Sequence, residues 1–277
     1  MRSKARYGSL LGVDFTSRPT KKKPISCAWG CFNAQEQLLI EKIVLCESFE
    51  AFSAQLHTAG PWVGAFDFPF GLPQELVEHL AWPTPWGPLI THYSAMPREQ
   101  IRAIFKAFCD ERPDGNKFAH RRCDRLAGSS PSMKWVNPPV AYMLHAGAPL
   151  LLQAGVSIPG MQMGDDRIAL EGYPGMLARD ILGKTSYKAD DAARQTPQRT
   201  ARRQELLDAL AQGAHPLKIK VQFSQQQLQH CVEDKQGDVL DAVLCCLQAA
   251  WASKQNGYGL PKDINPIEGW IVSTKVP

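Results

Sequence analysis

Residues 9–15 read Ser-Leu-Leu-Gly-Val-Asp-Phe, a short apolar run that carries one carboxylate, Asp14. A run of that length, followed by the Pro- and Lys-rich residues 16–24, predicts a buried strand that delivers Asp14 to its end. Two further strand candidates follow at 25–32 and 38–44, joined by short loops, and three consecutive strands so connected favour an antiparallel meander. A helix is predicted over 48–58, closed by Gly60-Pro61, and residues 62–68 (Trp-Val-Gly-Ala-Phe-Asp-Phe) return as a strand with Asp67 near its end. A strand that returns after a helical crossover adds parallel to the first, so the expected class is α/β with a mixed sheet.

Residues 83–165 differ in texture. They are rich in Pro and Gly at both ends and basic in the middle, with helices predicted at 99–109 and 140–153, and they read as a mostly helical insertion within one domain spanning 1–277. A strand at 168–173 carrying Glu171 follows, then helices at 175–182, 200–210, 224–232 and 238–253. The last, Gly-Asp-Val-Leu-Asp-Ala-Val-Leu, places Asp238 and Asp241 three apart on one helix face, with Cys245 further along that side as packing.

Composition narrows the classes. A net charge of +4 permits nucleic-acid binding without requiring it, and no stretch reaches the roughly 18 apolar residues of a membrane span. The start, Met1-Arg2-Ser3-Lys4-Ala5-Arg6, carries no signal-peptide pattern, and with no CxxC among 8 cysteines the expectation is a cytoplasmic protein with reduced thiols. Cys27 and Cys31, four apart on a strand, would sit about 13 Å from each other and so share neither a disulfide nor a metal. Cys109, His120 and Cys123 offer too few ligands for a structural zinc site. Basic residues crowd two segments, 98–134 and 179–203, each readable as a solvated helix face or as a phosphate-contacting surface.

Carboxylates isolated in apolar segments are costly to bury without a cation or hydrogen-bond donors. Two-metal phosphodiester chemistry uses such groups, clamping ions about 4 Å apart with oxygens from several elements. Asp14, Asp67 and Glu171 at strand ends, with the Asp238/Asp241 pair, form such a set. Each has an ordinary alternative: Asp238 as a helix N-cap, Asp241 as a partner of the helix dipole, Asp14 and Asp67 in turns, Glu171 paired with an arginine.

The succession GVDF, GAFDFPFGLP, LEGYP, GDVLDA and IEGWI resembles the domain-of-unknown-function family 429, over about residues 10–271. That resemblance implies a ribonuclease H-like fold and nuclease activity on DNA or RNA. By position it implies Asp14 as bridging ligand, Asp67 as second ligand, Asp238 and Asp241 as helix ligands to Mg²⁺ or Mn²⁺, and Glu171 as an accessory catalytic residue. The closing helix also resembles that of Holliday-junction resolvases, whose pattern has Glu where this chain has Asp67. In the insertion, Arg121 and Arg122 are candidate phosphate contacts and His120 a candidate proton carrier, each with a structural alternative. Two other functions stay open. One is an ATP-dependent phosphotransferase of the actin and sugar-kinase type, suggested by Asp14-Phe15-Thr16-Ser17 with Lys21, Lys22 and Lys23. The other is a non-catalytic nucleic-acid-binding module.

Overall fold

The computed structural model describes residues 8–189 and 191–275, so the basic start at residues 1–6 lies outside them. Strands β1 (Ser9–Asp14), β2 (Ile25–Phe32) and β3 (Leu38–Cys46) form the antiparallel meander, followed by helix α1 (Phe49–Leu56) and strand β4 (Trp62–Asp67). Ser48 caps α1, its hydroxyl accepting the Ala51 N–H at 3.2 Å, which is why a Ser opens that helix. Five helices then intervene: α2 (Gln74–His79), α3 (Trp86–Ala95), α4 (Arg98–Asp110), α5 (Arg122–Ala127) and α6 (Val140–Ala154). The chain returns through β5 (Arg167–Glu171) to α7 (Pro174–Leu182), α8 (Pro197–Gln212), a short β6 (Val221–Gln222), α9 (Gln225–Glu233) and α10 (Asp238–Ser253).

The sheet order is β5-β4-β1-β2-β3-β6. β1, β2 and β3 pair antiparallel, while β4 joins β1, β5 joins β4 and β6 joins β3 in parallel. This is the mixed α/β sheet expected from the sequence. Helices α3 and α5 and the two-residue β6 were not foreseen; α3 begins beside a proline with no side-chain cap, and α5 and β6 are too short to show a period. Helix α8 starts earlier than its apolar period suggests, because Thr196 caps it and Pro197 fits its first turn. The β5 segment ends at Glu171, before Tyr173, which precedes the first residue of α7.

Alternation along the strands separates two apolar layers. Leu11, Val13, Phe66 and Ala169 face α1, α2, α3, α4 and α6. Leu10, Val63, Ala65 and Leu170 face α7–α10. On the second face α10 lies almost directly on β1. A Cβ built on Gly12 would stand 2.0 Å from the Ala242 carbonyl oxygen and 2.1 Å from the Cys246 nitrogen, so only glycine allows this approach. The contact brings the first turn of α10 over the end of β1, which is where the acidic residues meet. No helix among the described residues is long and apolar enough to cross a membrane.

Candidate metal centre

Asp14 and Asp67 end neighbouring parallel strands and are direct partners in the β1–β4 register. Both follow the parity of the α10-facing residues, so their carboxylates point to the same side. Asp241, one turn into α10, completes the group: one carboxylate oxygen from each of the three lies within 4.8 Å of the others. The position, beyond the carboxyl ends of parallel strands, is where open α/β sheets hold ligands.

Hydrogen bonding is unevenly shared. Asp241 is fully buried and engaged at both oxygens, Oδ1 accepting from the Tyr187 hydroxyl and Oδ2 from the Lys188 ammonium. Among the described residues no hydrogen-bond donor meets the carboxylate of Asp14 or of Asp67. Ser26, opposite Asp14 across β1–β2 and on the same face, has a buried hydroxyl without a partner. Burial, then the Asp238 and Asp241 carboxylates, hold Asp14 well above the usual carboxylate range. Burial, then Asp241, push Asp67 up to about 7. Three crowded acids, two of them without donors, fit a hard divalent cation.

Asp238 stands beside this group and not in it. Three residues on a helix also advance about 4.5 Å along its axis, so Asp238 lies nearer the rim. There it lines a cleft of about 480 Å³ together with Asp14, Asp67, Lys23 and Lys188. Its capping alternative does not hold. The N-cap is Gly237, and the Val239 N–H is taken by Asp234 Oδ2 at 2.8 Å, which leaves the Asp238 carboxylate for the cleft. Burial pushes Asp238 up to about 6 against the pull of Lys23. Cys245 sits beneath the group as packing, its thiol raised by burial and then by Asp67 and Asp241.

Glu171 lies outside the three-aspartate group, although it lines a cavity together with Asp67 and Arg121 and its charge helps to raise Asp67. It pairs with Phe66 in the β4–β5 register, one residue before Asp67, and therefore projects through the opposite face of the sheet. There it meets Arg121, whose five N–H donors are all taken: Glu171 Oε1 and Oε2 at 2.6 and 2.7 Å, Asp124 from both Nη2 and Nε, and the Glu268 carbonyl at 2.9 Å. The guanidinium is 1% exposed and has no donor left for a phosphate. Glu171 also accepts the Phe70 N–H at 2.9 Å, so this one carboxylate ties the loop after β4 to Arg121 at the start of α5.

Arg122 and His120 do not meet the three aspartates either. Arg122 pairs with the exposed Asp263 at 2.8 Å and lies over the Trp270 ring. His120 keeps a buried Nδ1 without a partner, and burial, then Arg125, lower its pKa. The IEGWI segment proves to be a brace: Glu268 accepts the first N–H groups of α2 and α5, from Gln74 at 2.9 Å and Arg122 at 3.0 Å. Tyr187 and Lys188, the two partners of Asp241, were not singled out in the sequence. Lys188 was one of many basic residues in 179–203, and nothing local marks it as special.

Fold and site together define an α/β protein whose mixed sheet carries a buried three-aspartate centre at its carboxyl edge. Within that class the family described as "Protein of unknown function (DUF429)" matches residues 12–265, and the chain belongs to it. The match includes Asp14, Asp67 and Asp241. No curated protein and no solved structure matches the chain.

Because Asp67 is a proton carrier near neutrality, cation binding must expel that proton. If the group holds Mn²⁺, its apparent affinity is expected to fall at least about tenfold per pH unit below about 6.5, since both Asp67 and Asp14 are raised and must release protons. Calorimetric titration across that range, with proton release read from buffers of different ionisation enthalpy, checks it. An affinity flat from pH 5.5 to 8 would remove Asp67 from the ligand set.

Proposed function

We propose that this protein is a metal-dependent nuclease that hydrolyses phosphodiester bonds of DNA or RNA, with Asp14, Asp67 and Asp241 holding Mg²⁺ or Mn²⁺. The observation that carries the reading is the pair of carboxylates, Asp14 and Asp67, crowded against Asp241 with no hydrogen-bond donor on either among the described residues. Natural folds compensate buried charge, and the compensation this geometry suits is a divalent cation. Such an ion would supply Lewis-acid polarisation of a phosphodiester and acidify the attacking water.

The chain's own residues fit the remaining tasks. Asp238 at the cleft rim, raised to about 6, can accept a proton from water near neutral pH. Lys23 and Lys188 line the cleft, and Arg18, Lys21 and Lys22 are exposed on the loop that follows Asp14, giving a positive approach for a polyanion. The antiparallel meander continued by parallel strands supports a ribonuclease H-like assignment. The 8 unpaired cysteines accord with a reducing, cytoplasmic setting.

The test is a panel of single-stranded, duplex and branched DNA and RNA, incubated with Mn²⁺ or Mg²⁺ and with EDTA. Metal-dependent cleavage of at least one substrate is expected. Absence of cleavage across the panel would overturn the proposal, and ATP turnover in its place would move the assignment to the phosphotransferase class. Cation-independent binding without cleavage would mark a binding module.

A further inference from the structure

Asp241 differs from the other two aspartates in having both oxygens engaged before any ion arrives, one by Lys188 and one by Tyr187. The ammonium of Lys188 lies close enough to act on Asp14, Asp67 and Asp238 as well, drawing all three toward their charged forms. Within the group itself, the carboxylates of Asp14, Asp67 and Asp241 with one ammonium leave two negative charges, the charge of one divalent ion, while Asp238 lies outside the group at the rim of the cleft. A two-ion centre, the arrangement expected from the sequence, needs oxygen ligands free on both sides of a bridging carboxylate. Here, among the described residues, the Asp14–Asp67 side is the one without hydrogen-bond donors.

The lysine is built into place. Arg203, 2% exposed, donates from Nη1 to the Tyr187 carbonyl at 2.8 Å and from Nε to the Val232 carbonyl at 2.8 Å, fixing the backbone just before Lys188. The Ser186 hydroxyl donates to the Lys188 carbonyl at 2.7 Å. Gly237, at φ +77°, leaves room for the stem: a Cβ there would stand 2.9 Å from the Lys188 Cβ and 3.2 Å from the Tyr187 ring. The side chain is nevertheless 39% exposed, toward the cleft. A lysine held from below and open above is a point charge ready for a phosphate oxygen.

We propose that the centre takes a single divalent cation on the Asp14–Asp67 side, and that Lys188 supplies the second positive charge directly to the substrate phosphate. This rests on the cation-dependent reading above. The ammonium keeps its proton throughout, so its part is electrostatic and no bond to it forms or breaks.

Counting bound Mn²⁺ on the full-length protein, by equilibrium titration with electron paramagnetic resonance detection, tests it. Wild type is expected to saturate at one ion per chain. Lys188→Met is expected to admit a second ion or to bind the first about tenfold more tightly, since a like charge is gone. Lys188→Arg should keep the count at one. With substrate, Lys188→Met should lower kcat about 100-fold while Lys188→Arg retains most of it. Two ions on wild type would overturn the proposal by itself, whether or not Lys188→Met folds. A Lys188→Met protein unchanged in count and affinity would overturn it too. No bound ion on wild type would instead sink the cation reading on which it rests.

Discussion

Asp14→Asn is expected to lose Mn²⁺ binding and to reduce cleavage at least about 1,000-fold, the equivalent of about 4 kcal/mol of transition-state stabilisation. The same substitution is expected to make the metal-free protein more stable. Asp14 is buried, faces two other carboxylates and meets no donor among the described residues, so its charge is a cost in the absence of a cation. Asn has the same shape without that charge. The sign follows from linkage. A carboxyl whose folded pKa is raised binds its proton more tightly folded than unfolded. Its contribution is therefore harmless below the unfolded value of about 4, turns destabilising as pH rises through the interval up to the folded value, and stays so above it. At pH 7.5 the gain from Asp14→Asn should be on the order of 1–3 kcal/mol, shrinking toward pH 4. Urea unfolding of both proteins at the two pH values, with and without Mn²⁺, reads it. A destabilised variant that still binds Mn²⁺ would make Asp14 a structural residue.

Arg121→Met should be the most damaging single change outside the centre, with a loss of about 3–5 kcal/mol. The substitution preserves most of the volume but leaves Glu171 and Asp124 as buried carboxylates facing one another, 4% and 0% exposed. Relief is predictable: adding Glu171→Gln and Asp124→Asn should recover a large part of the loss, because the penalty lies in the orphaned charges and not in the missing bonds. Denaturant midpoints for the single and triple variants decide it. An Arg121→Met protein of wild-type stability that binds nucleic acid more weakly would return this arginine to the phosphate-binding role suggested by the sequence.

Much of the architecture was legible because it is written in local patterns. Short apolar runs gave β1 to β4, and capping residues such as Ser48 marked helix starts. The order of strand, helix and returning strand implied the mixed sheet. The acidic site was legible only in part. Asp14, Asp67 and Glu171 look alike in sequence, each a carboxylate closing an apolar strand. What separates them is the β4–β5 register, which sets Glu171 one residue out of step with Asp67. Central strands are apolar on both faces, so no alternation in one chain reveals which way a terminal residue points. Arg121 and Lys188 were lost for a related reason. Their partners lie on elements distant in sequence, and an arginine in a basic cluster looks the same whether it meets solvent or two buried acids.

The dependence of the centre on Gly12 and α10 has a consequence for the life of the chain. Two of the three carboxylates are synthesised early and stand on the sheet, while the third arrives on the last long helix and reaches them only when that helix seats on β1. A nascent or truncated chain that has formed its strands but not docked α10 holds only two of the three carboxylates. Assembly of the three-aspartate group thus waits on the docking of α10.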